Sequence, residues 1–365
     1  MTTFELVLVG FGHVAQRFVT LLEEQRTALA RERIAARVVG ITTRRHGAAS
    51  AVRGLDAVAL IDRVARGERI GRSREGRPAA DFIGDVAAAS DAARERRLIV
   101  VETTTLDITR GQPAIEHVRA GLASGAHVIT ANKGPVAFSY HALAAAASRA
   151  DRRFLFEGAV MDGIPIFNLV RETLPAVTII GFRGVVNSTT NFILTAMEQG
   201  QPFAEALAEM QAMGIAESDA SLDIDGWDAA AKTAALANVL LDARLTPRDV
   251  ERVGISAGLG GPAMEARAAG RRLKLVARAA REDGRITARV APEELPDDDL
   301  LAGLEGQQNA IILHTDLLGE VAVVQRGAGL TQTAYALLVD LITIGRDVNG
   351  PRGVRGRPPA RRARS

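Results

Sequence analysis

Apolar positions in the first part of the chain change period twice within forty residues. Residues 4–9 form a short apolar run that breaks at Gly10-Phe11-Gly12, and beyond it Val14, Ala15, Phe18, Val19 and Leu22 recur at helical spacing. The pattern predicts strand, tight turn, helix. A charged linker then leads to a second strand over 37–42, completing a β-α-β unit with a right-handed crossover. Residues 44–97 are rich in Gly, Arg, Ala and Asp with weak periodicity, and predict helices and surface loops without further detail. Order returns with a buried strand at 98–101, a helix over about 113–124 with Pro113 near its first turn, and a strand at 127–130. This alternation predicts an α/β fold with a doubly wound parallel sheet.

After residues 154–157 the text changes. Strands are expected at 178–187 and 286–290 and helices at 191–199, 202–213 and 226–242, which reads as a second, α+β domain. Strands at 310–314 and 320–325 and a strongly apolar helix at 332–344 follow. The division expected is a dinucleotide-binding domain over 1–135, completed by 325–346, and a substrate-binding and dimerisation domain over 136–324. Residues 347–365 are expected to be a disordered Arg-rich tail.

Composition sharpens this in three places. No Cys occurs among the 365 residues, which removes disulfides, thiolate nucleophiles, Cys-based zinc sites and the thiohemiacetal route to aldehyde oxidation. The basic residues are 42 arginines and only three lysines, Lys133, Lys232 and Lys274. Where Arg has replaced Lys almost everywhere, a retained lysine points to chemistry that needs a cation able to lose its proton. The segment from 350 onward carries six arginines and no acid, so without it the formal charge turns from +2 to −4. Polyanion binding by such a tail would be nonspecific and salt-dependent, and no specific nucleic-acid partner is expected. No basic leader with a long apolar stretch and no run of about 18 apolar residues occurs, so a cytoplasmic protein without a membrane span is expected.

Four constellations could carry chemistry. Gly10-x-Gly12-x-x-Ala15 at the first β-α turn suits a dinucleotide: Gly10 permits the turn, Gly12 lets the backbone approach a pyrophosphate, and Ala15 lets helix and strand pack closely. The second strand ends in Thr42-Thr43-Arg44-Arg45 rather than in an acid, which favours NADP over NAD; Glu32 lies in the linker before that strand. Thr130-Ala131-Asn132-Lys133-Gly134-Pro135 follows a buried strand, where ligands of open α/β sheets bind. An acidic loop holding Glu217, Asp219, Asp223 and Asp225 leads into a helix bearing Asp228 and Lys232, an i,i+4 pair able to address one ligand together. Ser221, Asp223, Asp225 and Gly226 match the start of a calcium loop, but Lys232 stands where the bidentate Glu should be. Gly327-Ala328-Gly329 opens the last helix, near Thr333. The six histidines show no triad or metal spacing and read as structural, and Lys274 reads as an ordinary helix residue.

Taken together, these segments resemble homoserine dehydrogenase. The resemblance rests on Val101-Glu102-Thr103-Thr104-Thr105, Val128-Ile-Thr-Ala-Asn-Lys133-Gly-Pro, Glu157-x-x-Val160-x-x-Gly163-Ile164-Pro165, Gly184-Val-Val-Asn187-Ser188-Thr189-Thr190-Asn191, the acidic loop ending at Lys232, and Gly327-Ala-Gly-x-x-x-Thr333-Ala, in that order. It implies a Rossmann domain completed by the C-terminal helix, a central substrate and dimer domain, and a homodimer. The implied activity is interconversion of L-homoserine and L-aspartate 4-semialdehyde with NADP or NAD, in threonine, methionine and isoleucine biosynthesis. Lys232 resembles the acid/base lysine and Lys133 the second active-site lysine. Glu217, Asp223 and Asp228 look like substrate-side carboxylates, with Ser188 and Thr189 beside them. Cofactor contacts are expected from Gly10, Phe11, Gly12, His13, Val14, Arg44, Arg45, Thr103, Thr104, Asn132, Lys133, Gly329 and Thr333. Glu157, Val160, Asp162 and Ile164 look like a sodium or potassium loop that binds mostly through carbonyls. The chain departs from the pattern at Asp219-Ala220, where Asp-Pro is usual, at Ser188, commonly Gly, and at Asp162, usually small. No regulatory ACT domain fits after residue 345, so feedback through one is not expected. At this point a dehydrogenase of another amino-acid semialdehyde and a non-catalytic dinucleotide sensor stay open.

Overall fold

Alternation along each central strand of the first sheet sends side chains to two different cores. Phe4, Leu6 and Leu8 face one, Val7 and Val9 the other, and Ile99 and Val101 part in the same way from Leu98 and Val100. Strands buried on both faces need helices on both sides. In the computed structural model, which describes residues 1–71, 77–213, 219–327 and 329–350, those helices are present.

The first unit runs β1 (Thr2–Val9), α1 (His13–Glu24), α2 (Arg26–Arg31), β2 (Ile34–Thr42), β3 (Ala48–Ser50), α3 (Ala57–Ala65) and α4 (Ala79–Ala88). It continues with β4 (Leu98–Glu102), α5 (Ala114–Ala123), β5 (His127–Thr130), α6 (Lys133–Arg149) and β6 (Phe154–Leu155). The sheet order is β3-β2-β1-β4-β5-β6, parallel except for the short edge strand β3. The parallel sheet therefore runs past residue 135 to β6, because α6 is itself a crossover helix back to the sheet.

The second unit holds α7 (Ile166–Asn168), β7 (Ile179–Val185), α8 (Ser188–Met197), α9 (Phe203–Ala212), α10 (Ser221–Ile224), α11 (Trp227–Leu240), β8 (Glu251–Arg252) and α12 (Gly260–Ala268). Then come β9 (Arg271–Glu282), β10 (Arg285–Pro296), β11 (Asn309–Thr315), β12 (Gly319–Gln325) and α13 (Leu330–Asn349). Its sheet order is β12-β11-β7-β9-β10-β8. The α13 helix returns to the first sheet, where Leu337, Leu341 and Ile344 join the core beside Phe4 and Phe18. Gly345 makes that approach possible, since a Cβ there would come within 2.2 Å of the Ile34 side chain.

Lys274 is a correction. It lies in strand β9, fully buried, not in a helix. The stretch Arg-Arg-Leu-Lys-Leu-Val-Ala-Arg-Ala-Ala-Arg-Glu is made of good helix formers, but full-length antiparallel pairing with β10 and contact with β7 override that local preference. The two units are joined where α6 packs on α11, and Asn238 of α11 donates to the Val136 and Leu245 carbonyls at 3.2 and 2.8 Å. Among the described residues no helix is long and apolar enough to cross a membrane.

Candidate active site

At the carboxyl edge of the first sheet, Gly10 leaves β1 with φ +94°, and a Cβ there would sit 2.9 Å from the Thr103 carbonyl. Only glycine fits both constraints. Gly12 caps α1 with nothing within 4 Å of where its Cβ would be, so the helix start is open to an anion, while Ala15 is fully buried against the sheet. Phe11 is buried and its carbonyl accepts from Gln16 at 2.9 Å; His13 is exposed on the first turn and Val14 half-buried. The Gly10 N–H donates to the Thr42 carbonyl at 2.9 Å, which sets the end of β2 beside the turn. Beyond it the Thr43 hydroxyl accepts from the His46 N–H at 2.8 Å, and this tight turn leaves Arg44 and Arg45 exposed. Glu32 pairs with Arg346 of α13 at 2.6 Å and is thereby engaged away from this edge.

The opposite wall is organised by Glu102, which is completely buried. Its carboxylate accepts from the Thr104 N–H at 3.1 Å and the Thr130 hydroxyl at 2.9 Å, and His117 Nδ1 lies 3.4 Å away. The Asn132 amide donates to the Thr104 carbonyl at 2.9 Å and accepts from the Gly134 N–H at 2.8 Å, which caps α6. Lys133 is consequently the first residue of a helix, where the backbone dipole opposes a cation. A carboxylate from the second unit offsets that opposition.

Asp228 is that carboxylate. Its Oδ1 lies 3.0 Å from Lys133 Nζ and its Oδ2 2.9 Å from Lys232 Nζ. Lys232 also donates to the Val186 carbonyl at 2.7 Å. Asn187, capping α8, donates its amide hydrogens to Asp223 at 2.7 Å and to Asp228 at 2.9 Å. Burial disfavours the Asp228 carboxylate, yet Lys133 and Lys232 outweigh it and hold its pKa well below the usual range. Burial and the Asp228 charge together push Asp223 up. Burial works to lower Lys232, but Asp228, Asp162 and Asp223 prevail and its pKa is raised. The Ser188 hydroxyl accepts from Asn309 at 2.8 Å, and Thr189 hydrogen-bonds toward Asp223. Glu217 lies outside the described residues.

Met161, Asp162 and Gly163 all have positive φ, a turn locked by α13: a Cβ on Gly163 would meet the Gln332 carbonyl at 2.3 Å. Within it Asp162 faces Lys232 electrostatically and accepts from the Thr333 hydroxyl at 3.3 Å. Gly329, the cap of α13, is exposed, and the adjoining Thr331 accepts from Arg17 of α1 at 3.0 Å, so the start of α13 stands beside the dinucleotide turn. The Glu157 side chain is turned inward, accepting from the Phe167 and Asn168 N–H groups at 2.9 and 2.7 Å. That carboxylate is spent on structure.

Chain-distant residues 103, 133, 162, 187, 228, 232 and 333 thus converge on one edge. Two roles were not assigned from the sequence: Asn187 as the bridge between two carboxylates, and Asp162 as a charge beside Lys232. An Asn placed just before an apolar helical pattern is a cap signal, and it was the only local clue to Asn187. A sheet that delivers a glycine turn onto a cluster of lysines is the arrangement of a nicotinamide-dependent dehydrogenase. Comparison with known proteins narrows the class. The sequence model described as homoserine dehydrogenase matches residues 165–342, and that described as the homoserine dehydrogenase NAD-binding domain matches residues 10–157. The NAD(+)-dependent homoserine dehydrogenase of Pseudomonas canavaninivorans is 39% identical over 94% of this chain and 97% of its own. The homoserine dehydrogenase of Methanocaldococcus jannaschii is 36% identical over 93% and 98%. A solved homoserine dehydrogenase from Thiobacillus denitrificans superposes with TM-score 0.79 at 30% identity, covering 95% of this chain and 74% of that one. The chain belongs to the homoserine dehydrogenase family and is an oxidoreductase with a dinucleotide-binding domain.

Proposed function

We propose that the protein interconverts L-homoserine and L-aspartate 4-semialdehyde, with Lys232 as proton acceptor and donor. The observation that carries this is Asp228, which holds the Lys133 and Lys232 ammonium groups 3.0 and 2.9 Å from its two oxygens at the edge where the dinucleotide turn opens. The Gly10 turn, Gly12, Thr103, Thr104, Asn132, Gly329 and Thr333 would hold the dinucleotide, which when bound supplies the hydride acceptor or donor. Lys232 Nζ takes the proton of the substrate hydroxyl during oxidation and returns it to the carbonyl oxygen during reduction. Lys133 stabilises charge that builds on that oxygen. Asp223 and Glu217 attract the substrate ammonium, Ser188 and Thr189 flank it, and Asp228 keeps both lysines in reach.

Arg44 and Arg45, exposed beyond β2 where no acid stands, support a preference for the 2′-phosphate of NADP. A sodium or potassium ion would bind through main-chain carbonyls of Glu157, Val160, Asp162 and Ile164, consistent with the engagement of the Glu157 carboxylate elsewhere. The assembly proposed is a cytoplasmic homodimer. The deciding experiment is a spectrophotometric assay of homoserine with NAD and NADP in parallel. Homoserine-dependent reduction of both, with the larger kcat/KM for NADP, is expected; a large preference for an analogue such as another hydroxy amino acid would reject homoserine as substrate.

A further inference from the structure

The third lysine stands in an expensive place. Lys274 is 0% exposed in β9, with Val276 two residues on in the same core face and Leu273 and Leu275 facing the other. Burial draws its pKa down to about 8 against the attraction of Glu198 and Glu305. Packing alone would be served by an apolar residue, so a lysine here is held by what its ammonium bonds, and removing it leaves those buried acceptors unpaired.

Its three ammonium protons face three acceptors. They are the Leu304 carbonyl at 2.5 Å, Asn191 Oδ1 at 3.1 Å and Thr195 Oγ1 at 3.4 Å. Asn191 and Thr195 lie on α8, and Leu304 belongs to the loop before β11. Asn191 in turn donates to the Gly306 and Gln308 carbonyls at 3.0 and 3.1 Å. The next residue, Asn309, donates to the Ser188 hydroxyl at the start of α8, beside the Asn187 that bridges Asp223 and Asp228. Lysine, helix and loop thus form one closed polar network that ends at the substrate side of the site.

We propose that Lys274 is a positioning residue for substrate binding: it fixes the 304–308 loop and the start of β11 to α8 and so sets Ser188 and Asn187 relative to the two-lysine cluster. This rests on the reading of Ser188 and Asp228 as substrate-side groups. A residue acting there changes the KM for homoserine and not that for the dinucleotide, whereas a merely structural residue changes melting temperature alone.

The test uses the full-length enzyme, assayed with homoserine and the better of the two dinucleotides. Lys274→Met is expected to fold and to raise the homoserine KM about tenfold with the dinucleotide KM within about twofold. Asn309→Ala cuts the same path at its far end and is expected to raise the homoserine KM selectively; the double variant should be no worse than Lys274→Met, because the two act through one network. An unchanged homoserine KM in either single variant, or multiplicative effects in the double, overturns the proposal. If Lys274→Met does not fold, Lys274→Gln, which retains an N–H for Leu304, takes its place, and failure of both to fold assigns Lys274 a structural role instead. Lys232→Arg is run alongside: normal turnover in that variant rejects the underlying site, while its loss beside unaffected Lys274 and Asn309 variants rejects only this inference.

Discussion

Lys232 and Asp228 share one helix face, four residues apart, and most of the site's electrostatics lies in that pair and in Lys133. Because neighbouring carboxylates raise the Lys232 pKa, the residue is an ammonium through neutrality; in the role proposed for it, it can donate to an aldehyde but must first lose its proton before it can accept one from homoserine. The rate of homoserine oxidation, followed as kcat/KM, is therefore expected to climb by about tenfold per pH unit on the acidic side, while reduction of the semialdehyde stays level across neutral pH. An oxidation rate level between pH 7 and 9 would remove Lys232 from the base role. Lys232→Arg, which keeps the charge but cannot release its proton, should cost about 10²- to 10⁴-fold in kcat while dinucleotide binding stays within about twofold. At this scale the sequence was informative: scarcity of lysine singled out Lys133, Lys232 and Lys274. It misread Lys274 as an ordinary helix residue, because the surroundings of that lysine come from α8 and the loop before β11, roughly 80 residues upstream and 30 downstream.

Strand β5 shows what an element adds. His127 opens it wholly buried, its Nδ1 accepting from the Arg153 N–H at 2.9 Å. Burial, reinforced by Arg152 and Arg96, lowers its pKa to about 3. The unfolded chain binds a proton at this residue near pH 6.5 and the folded chain does not, so the contribution is full above pH 6.5 and is lost as pH falls toward 3. Between pH 6.5 and 5 this group alone should make stability fall by up to about 1.4 kcal/mol per pH unit. His127→Asn, whose carbonyl can still accept from Arg153, is expected to flatten that slope by about one proton in denaturant titrations at several pH values; an unchanged slope would show that His127 does not titrate on unfolding. Reading His127 as structural agrees with this position. Elements with a strong period, such as β1, α1 and β4, were legible from the chain, but β9 was not, because an Ala- and Arg-rich segment declares itself a strand only once β7 and β10 lie beside it.

For the whole molecule, α13 is the decisive piece, since it comes after the second unit in the chain and completes the first in space. It buries Leu337, Leu341 and Ile344 against the first sheet and at its start clamps the Met161-Asp162-Gly163 turn beside Lys232. Sedimentation of the protein is expected to give about twice the 38.7 kDa chain mass, and a monomer at micromolar concentration would reject the proposed homodimer. Legible in the chain alone were the parallel α/β start, the glycine turn, and the Asp228–Lys232 pair, because periodicity, turn chemistry and i,i+4 spacing are local properties. Tertiary structure alone decided that Asp228 bridges both lysines, that Asn187 ties two carboxylates together, that Asp162 lends charge to Lys232, and that Lys274 is a buried network centre. Each of those depends on distances between segments tens to hundreds of residues apart, which only packing sets.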